Sequence, residues 1–209
     1  MKTKIKKIGI LTGGGDCPGL NAVIRAVTKS AHENNYEVIG FKDGFKGLVE
    51  NDFVELTSCM VSNILIQGGT ILGTSNTANP YKWAQKDKKG NLIFKDFSEK
   101  AISNFKKNKL EALVVLGGDG SMAIANDLVN DGLHIVGVPK TIDNDLPHTD
   151  MTFGFNTAVR TATGAIDKIH TTAQSHHRAM VVEVMGRYTG WIALYSGVAG
   201  GGDGGFVLQ

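Results

Sequence analysis

The chain has 209 residues, 22 lysines and arginines against 20 aspartates and glutamates, and an apolar fraction of 42%. No stretch approaches the roughly 18 uncharged apolar residues of a membrane span, and a net charge of +2 without a basic stripe gives no support to nucleic-acid binding. Two cysteines cannot form a disulfide framework, so we expect a cytoplasmic protein. Because of its hydropathy and charge, we expect it to bind neither membranes nor nucleic acids. Glycine is unusually frequent, at 27 residues, and its clustering indicates sites built from backbone.

Short apolar runs alternate along the chain with longer segments of helical periodicity. In chain order, the predicted strands are 8–12, 38–41, 112–116, 135–138 and 181–184, and the predicted helices are 20–34, 96–105, 121–131, 157–172 and 189–199. Asp96 and Glu99 form a capping box for the second helix, and residues 82–95 predict an exposed loop or hairpin. Residues 48–80 are ambiguous. The alternation predicts an α/β fold with a parallel sheet and right-handed crossovers, and a domain boundary between residues 150 and 155.

Three glycine-rich or polar clusters follow predicted strands, where ligands bind in open parallel sheets. The first, residues 13–19, reads GGGDCPG, and its glycines would let backbone N–H groups approach a phosphate at the start of a helix. A tight strand-to-helix turn is the alternative. The second, residues 117–121, adds the carboxylate of Asp119, which could hold Mg²⁺. A simple helix start capped by Asp119 or Ser121 is the alternative there.

The third cluster, residues 139–145, reads PKTIDND and places two carboxylates two residues apart. One carboxylate could take a proton from a hydroxyl while the other organises metal or water, as phosphoryl transfer requires. A solvated turn is the alternative. Farther on, Arg187 follows the predicted strand 181–184, where its guanidinium could clamp a phosphate, whereas Arg178 could equally form a surface ion pair.

Six segments resemble the phosphofructokinase family in order and spacing. They are GGGDCPGLNAVIR (13–25), GGTILGT (68–74), LGGDGS (116–121), PKTIDND (139–145), TFGFNTA (152–158) and SHHRAMVVEVMGRYTGWIAL (175–194). GGDG alone also suits kinases that phosphorylate NAD or lipids, but TIDND and VEVMGR do not. The chain is therefore identified as a member of this family, of the ATP type that has Lys in the PKTIDND segment.

The resemblance implies a Rossmann-like three-layer sandwich with a parallel sheet. Residues 1–152 would form the nucleotide-binding α/β domain, and residues 153–209 the beginning of an incomplete sugar-phosphate-binding domain. Full-length members are considerably longer, so the chain is expected to be truncated at Gln209, and residues 202–206 (GDGGF) already diverge from the family's usual strand. A homo-oligomer, dimeric or tetrameric, is expected at full length.

The activity implied by the resemblance is phosphoryl transfer from Mg-ATP to the 1-hydroxyl of fructose 6-phosphate, a glycolytic step. Asp143 would be the base, Asp145 would support the base and the metal, and Asp119 would bind Mg²⁺. Residues expected to bind the donor's phosphates are Gly15, Asn76, Gly118, Asp119, Gly120 and Ser121. Residues expected to bind the sugar phosphate are Thr141, Ile142, Asp143, Arg178, Met185, Gly186 and Arg187. Thr141 and Arg187 also count as catalytic, and Arg178 would reach a neighbouring subunit's sugar site.

Two positions bear on the donor. In the family, Gly at position 120 leaves room for the ATP α-phosphate, whereas pyrophosphate users have Asp there. Lys140 favours pyrophosphate instead, because pyrophosphate users have Lys at that position. Asn76 stands where ATP-using members commonly have a phosphate-binding arginine. ATP is favoured, and the alternatives are a pyrophosphate-dependent enzyme or a non-catalytic nucleotide-binding fragment.

Overall fold

The computed structural model describes residues 6–204. The chain divides into two compact units, Met1–Lys140 and Thr141–Gln209. This division lies twelve residues before the boundary expected after residue 152. Of the divergent residues 202–206, Gly205 and Phe206 lie outside the described part of the chain.

The first unit is built on a five-stranded sheet. Its strands are β1 (Lys6–Thr12), β2 (Tyr36–Phe41), β3 (Phe53–Glu55), β6 (Ala112–Gly117) and β7 (Ile135–Thr141, whose last residue begins the second unit); a hairpin is formed by β4 (Trp83–Lys86) and β5 (Leu92–Lys95). The helices are α1 (Leu20–Glu33), α2 (Phe45–Glu50), α3 (Ser98–Lys107) and α4 (Asp119–Asn130), with a 3₁₀ turn at Pro80–Lys82. The strand order is β3-β2-β1-β6-β7.

The sheet is mixed rather than wholly parallel. Strand β1 pairs in parallel with β2 and β6, and β6 pairs in parallel with β7, but β3 is antiparallel to β2. The reason is the connection from β2 to β3, which contains only the short helix α2, whereas a parallel crossover needs a dozen or more residues. The sequence had left this region ambiguous. The strands and helices predicted for the rest of the first unit are confirmed, as is the hairpin.

The capping box predicted for α3 is wrong in detail. Phe97 occupies the cap position, and Asp96 Oδ1 accepts a hydrogen bond from the Ser98 N–H at 2.7 Å. The carboxylate therefore stabilises the turn before the helix. Hydrogen bonds from the side chain and backbone of Ser98 also lower the pKa of Asp96.

The core of the first unit lies on both faces of the sheet. Neighbouring residues of β1 face opposite sides: Leu11 packs with residues of α2, α3 and α4, while Ile10 packs with residues of α1. Both side chains are completely buried, and each such burial contributes roughly 1.5–3 kcal/mol. This arrangement confirms the α/β three-layer sandwich.

The second unit contains a short strand and two helices. They are β8 (Phe153–Gly154), α5 (Phe155–His176) and α6 (Trp191–Ala199). The helices pack through Phe155 and Tyr195, whose ring centroids are 5.4 Å apart, and through His170 Nε2, 2.6 Å from Gly200 O. No helix within residues 6–204 has the length and apolar character to cross a membrane.

The strand predicted at 181–184 is wrong. The structure gives these residues no regular conformation, and Val181 is 98% exposed. A strand forms only where a neighbour accepts its backbone hydrogen bonds, and no strand within residues 6–204 pairs with this segment. Arg187 therefore does not follow a strand end, contrary to the prediction.

Candidate active site

The first glycine loop (residues 13–19) and the second glycine loop (residues 117–120) meet at the ends of β1 and β6. Gly13 N–H donates to Leu116 O at 2.8 Å. A Cβ on Gly13 would lie 2.7 Å from Ser121 Oγ, and one on Gly117 would lie 2.6 Å from the same atom. Only glycine allows this approach, so the structure brings the first two predicted clusters together around Ser121.

The second glycine loop opens helix α4 without a side-chain cap of the kind weighed above. Gly118 occupies the cap in an extended conformation, with φ −84° and ψ −167°, and the helix begins at Asp119. The Asp119 side chain is exposed in the first turn. The alternative of Asp119 or Ser121 as a simple cap is therefore wrong, and the backbone N–H groups of the first turn point away from the helix.

The packing of the protein does not require glycine at position 120. Apart from its chain neighbours and the backbone of its own helix, no atom of residues 6–204 would lie within 4 Å of a Cβ there, and φ at Gly120 is not positive. The same holds at Gly68. A larger side chain would thus fit the fold at both positions, so a requirement for glycine would come from a bound molecule.

Lys140 lies in β7 and reaches the first glycine loop. Its side chain is buried, and its Nζ donates a hydrogen bond to Gly15 O. Burial lowers the pKa of Lys140, and the nearby Cys17 and Asp16 partly oppose this change. Burial likewise raises the pKa of the Cys17 thiol to about 11. Residues 139–141 belong to strand β7, so the turn considered for the PKTIDND segment begins only at Ile142.

In the second unit, Asp143 collects contacts from three directions. Its N–H donates to Thr141 Oγ1 at 3.1 Å, its Oδ1 accepts from Arg187 N–H at 3.3 Å, and its carbonyl accepts from Thr189 Oγ1 at 3.0 Å. Asn144 has a positive φ of 51°, and its Oδ1 accepts from Thr152 N–H at 2.9 Å. Three of the predicted residues, Thr141, Asp143 and Arg187, therefore lie together.

Within the described part of the chain, no hydrogen bond joins Asp143 to Met185 or Arg178. Met185 is 76% exposed, and Arg178 follows the end of α5. The Arg187 backbone contacts Asp143, but its guanidinium stacks on Tyr188, 4.7 Å from the ring centroid. Among residues 6–204, no ion pair includes Arg178, so the surface-pair alternative finds no support. The roles of these residues stay predictions.

The family can be read from the whole described chain. A family model for phosphofructokinases matches residues 7–208. The chain belongs to the phosphofructokinase family. Its resemblance in structure agrees: the crystal structure of Pichia pastoris phosphofructokinase in the T-state superposes with a TM-score of 0.83 at 37% identity, covering 96% of this chain and 22% of that one.

Curated relatives of this phosphofructokinase-family chain include users of either donor. ATP-dependent 6-phosphofructokinase 2 of Clostridium perfringens is 57% identical over 97% of this chain and 56% of its own length. Pyrophosphate–fructose 6-phosphate 1-phosphotransferase of Amycolatopsis methanolica is 52% identical over 94% of this chain and 54% of its own length. The chain thus spans about half the length of the curated relatives it matches.

Sequence reasoning missed several residues whose contacts hold the predicted clusters. A Cβ on Gly44 would lie 2.7 Å from Thr12 O, and Phe45 packs beneath Gly13, so the turn before α2 supports the first glycine loop. The Asp-Gly pair at 43–44 was the available signal for that turn. Thr12, Thr152 and Thr189 gave no such signal, because a single hydroxyl in a strand or loop carries no periodicity.

Proposed function

We propose that this chain carries the donor-binding part, and some of the acceptor-binding part, of a 6-phosphofructokinase. That enzyme would transfer the γ-phosphoryl group of Mg-ATP to the 1-hydroxyl of fructose 6-phosphate, giving fructose 1,6-bisphosphate and ADP. The observation that carries the proposal is the meeting of two glycine loops beside the exposed Asp119, in a chain of this family. Residues 1–152 would form the nucleotide-binding domain, and residues 153–209 the beginning of the sugar-phosphate domain.

The donor's phosphates would lie against the two glycine loops. Backbone N–H groups at a helix N-terminus bind phosphate because they are unpaired and carry partial positive charge. The residues proposed for this role are Gly15, Asn76, Gly118, Gly120 and Ser121. The Asn76 side chain approaches the first glycine loop, where its Oδ1 lies 3.9 Å from the Cβ position of Gly15, and its Nδ2 would be the group that donates to a phosphate.

Asp119 suits Mg²⁺ that arrives with a nucleotide. Mg²⁺ is commonly held by one or two carboxylates together with substrate phosphates. Within residues 6–204 no cluster of three His, Cys, Asp or Glu side chains could hold a metal alone, so a single exposed carboxylate fits the shared arrangement better than a resident ion. When bound, Mg²⁺ would neutralise charge that develops on the transferred phosphoryl group.

Asp143 would accept the proton of the sugar's 1-hydroxyl as that oxygen attacks phosphorus. Two contacts of the half-buried Asp143 support this role: its carboxylate accepts from the Arg187 N–H, and its own backbone N–H donates to Thr141 Oγ1. Asp145 would support the base and the metal. The contact between Arg187 and Asp143 uses only the backbone N–H of Arg187. Its guanidinium would stabilise charge on the transferring group.

The remaining sugar contacts are proposed from the family pattern. Ile142, Met185 and Gly186 would line the sugar-phosphate site, and Arg178 would reach the site of a neighbouring subunit in a homo-oligomer. The setting would be the cytoplasm and the pathway glycolysis.

Pyrophosphate is the second candidate donor. It is favoured by Lys140 and by the pyrophosphate-dependent relative at 52% identity. Against it stands Gly120, where no protein atom requires glycine, because a carboxylate at this position would crowd and repel an ATP phosphate. We therefore propose ATP.

A coupled assay of the longest polypeptide that contains this chain tests the proposal, with fructose 6-phosphate and either ATP or pyrophosphate. We expect ATP to give at least tenfold higher kcat/KM. A preference for pyrophosphate would overturn the donor assignment. Binding of Mg-ATP by calorimetry without turnover would instead support the non-catalytic alternative.

A further inference from the structure

The loop of residues 67–76 is irregular, yet side chains and backbone of the first glycine loop region fasten its second half. Thr12 Oγ1 donates to Gly73 O at 2.6 Å, and Gly14 N–H donates to Ser75 O at 3.1 Å. Thr74 Oγ1 in turn donates to Gly14 O. The second half of loop 67–76 is thereby joined to the first glycine loop.

Asn21 fastens the first half of the same loop. Its Nδ2 donates to Gln67 O at 3.1 Å and to Gly68 O at 3.2 Å, while its Oδ1 accepts from Ile71 N–H at 2.9 Å. The side chain is only 2% exposed. The contacts also fix the orientation of the amide, because the reverse would set Oδ1 against two carbonyl oxygens.

Asn21 thus connects two segments that are proposed to bind the donor's phosphates. It belongs to the first turn of α1, the helix that the first glycine loop opens, and its amide is committed to loop 67–76. That loop contains Gly68, where no protein atom demands glycine, and ends at Asn76, beside Gly15. Moving the loop would move both of these positions relative to the first glycine loop.

We infer that Asn21 is a positioning residue for the phosphoryl donor. It touches no donor atom itself, because its buried amide is occupied by the loop, but it sets the place of loop 67–76 against the first glycine loop. The inference rests on the proposed function, since it assumes that these loops bind the donor.

Asn104 provides a matched control in the same unit. It is also buried, and its Nδ2 likewise donates to two carbonyls, those of Leu48 and Val49, both at 2.9 Å. Those bonds join α3 to α2 rather than to either glycine loop. Equal substitutions at Asn21 and Asn104 therefore remove similar hydrogen bonds. Only the bonds of Asn21 join loop 67–76 to the helix that follows the first glycine loop.

The test compares Asn21→Asp and Asn21→Ala with Asn104→Asp and Asn104→Ala in the longest polypeptide that contains this chain. For the Asn21 variants we expect the KM of the donor to rise about tenfold, the effect of losing one to two hydrogen bonds. The KM of fructose 6-phosphate should stay within about twofold. The Asn104 variants should lower Tm by a similar amount and leave both KM values unchanged. Calorimetry with Mg-ATP should show the same tenfold loss without relying on turnover.

Equal donor KM values in the Asn21 and Asn104 variants would overturn the inference, as would a parallel rise in the KM of donor and sugar. So would failure of both Asn21 variants to fold, because the inference requires a folded protein with weakened donor binding. Failure of the proposed function looks different: the unsubstituted protein would then neither bind nor use ATP or pyrophosphate.

Discussion

The first glycine loop and loop 67–76 of the first unit are held differently from the segment of residues 178–190 in the second unit. Buried groups of this chain fix the two loops: Thr12, Asn21 and Lys140 each donate a hydrogen bond to a loop carbonyl. Residues 178–190 are largely exposed, and their contacts to the PKTIDND segment are two hydrogen bonds to Asp143.

The difference shows where each region obtains its order. A loop whose polar groups are paired within one unit takes its conformation from that unit, because breaking a buried hydrogen bond leaves an unsatisfied group that costs about 1–3 kcal/mol. An exposed segment can exchange its bonds with water at little cost. We therefore expect donor binding to depend on packing, and acceptor chemistry on a few individual side chains.

The largest expected effect is at Asp143. Asp143→Asn removes the proposed base while keeping its shape, so kcat should fall about 1,000-fold and Mg-ATP affinity should change less than about threefold. Steady-state kinetics and calorimetry measure the two quantities. Asp150→Asn, which alters an exposed carboxylate of the same unit, is the control and should retain full activity. Wild-type turnover in Asp143→Asn would mean that another group takes the proton.

Gly120→Asp tests the donor side. A Cβ at Gly120 meets no atom of residues 6–204 beyond its chain neighbours and its own helix backbone, so the variant should fold normally, with an unchanged Tm. The added carboxylate should lower kcat/KM for ATP about 100-fold through repulsion of a phosphate. Gly164→Asp, at another open helical glycine, controls for the added charge. Unchanged ATP kinetics in Gly120→Asp would remove the argument for ATP.

Gly117→Ala and Gly120→Ala separate packing from ligand binding. An added Cβ at Gly117 would meet Ser121 Oγ at 2.6 Å, and such overpacking should destabilise the protein by about 2 kcal/mol, roughly thirtyfold in the unfolding equilibrium constant. Gly120→Ala has open space and should be neutral or slightly stabilising. Urea denaturation gives both free energies. Equal stabilities would show that the second glycine loop is less tightly packed than the structure indicates.

The smallest expected effect concerns the thiols. Cys17 is buried and its pKa is raised to about 11, whereas Cys59 is exposed. Because the thiolate is the reactive form, Cys17 should react with a disulfide reagent at pH 8 at least tenfold more slowly than Cys59, and its rate should rise as the pH approaches 11. The reaction should then have a fast and a slow phase, and the variants Cys17→Ser and Cys59→Ser assign each phase to one thiol. A fast Cys17 would indicate a first glycine loop that opens readily.

Much of the region around the two glycine loops was predictable because its signals are local. The apolar run 112–116 predicts a strand buried on both faces, and the structure places Leu113 and Val115 against one core cluster and Val114 and Leu116 against the other. The glycines at 13 and 117 mark the close approach to Ser121. The meeting of these two loops follows from adjacent parallel strands, whose carboxyl ends share one edge.

Other features required partners distant in the sequence. The apolar run 181–184 resembles a strand, but pairing decides whether it becomes one, and periodicity says nothing of a partner. The antiparallel β3 was hidden for a similar reason, since α2 is too short to show a clear helical period. Asn21 was read as part of a motif, but its side chain bonds to loop 67–76, about fifty residues away along the chain.

The sequence by itself determined the alternation of strands and helices, the glycine loops and the membership of the phosphofructokinase family. These depend on the spacing of residues that are near one another in the chain. Only the tertiary structure decided which buried polar groups hold the loops, which strand runs antiparallel, and that Lys140 bonds to the first glycine loop. Those outcomes depend on hydrogen bonds between distant residues, and such bonds have a direction and a length that no local pattern encodes.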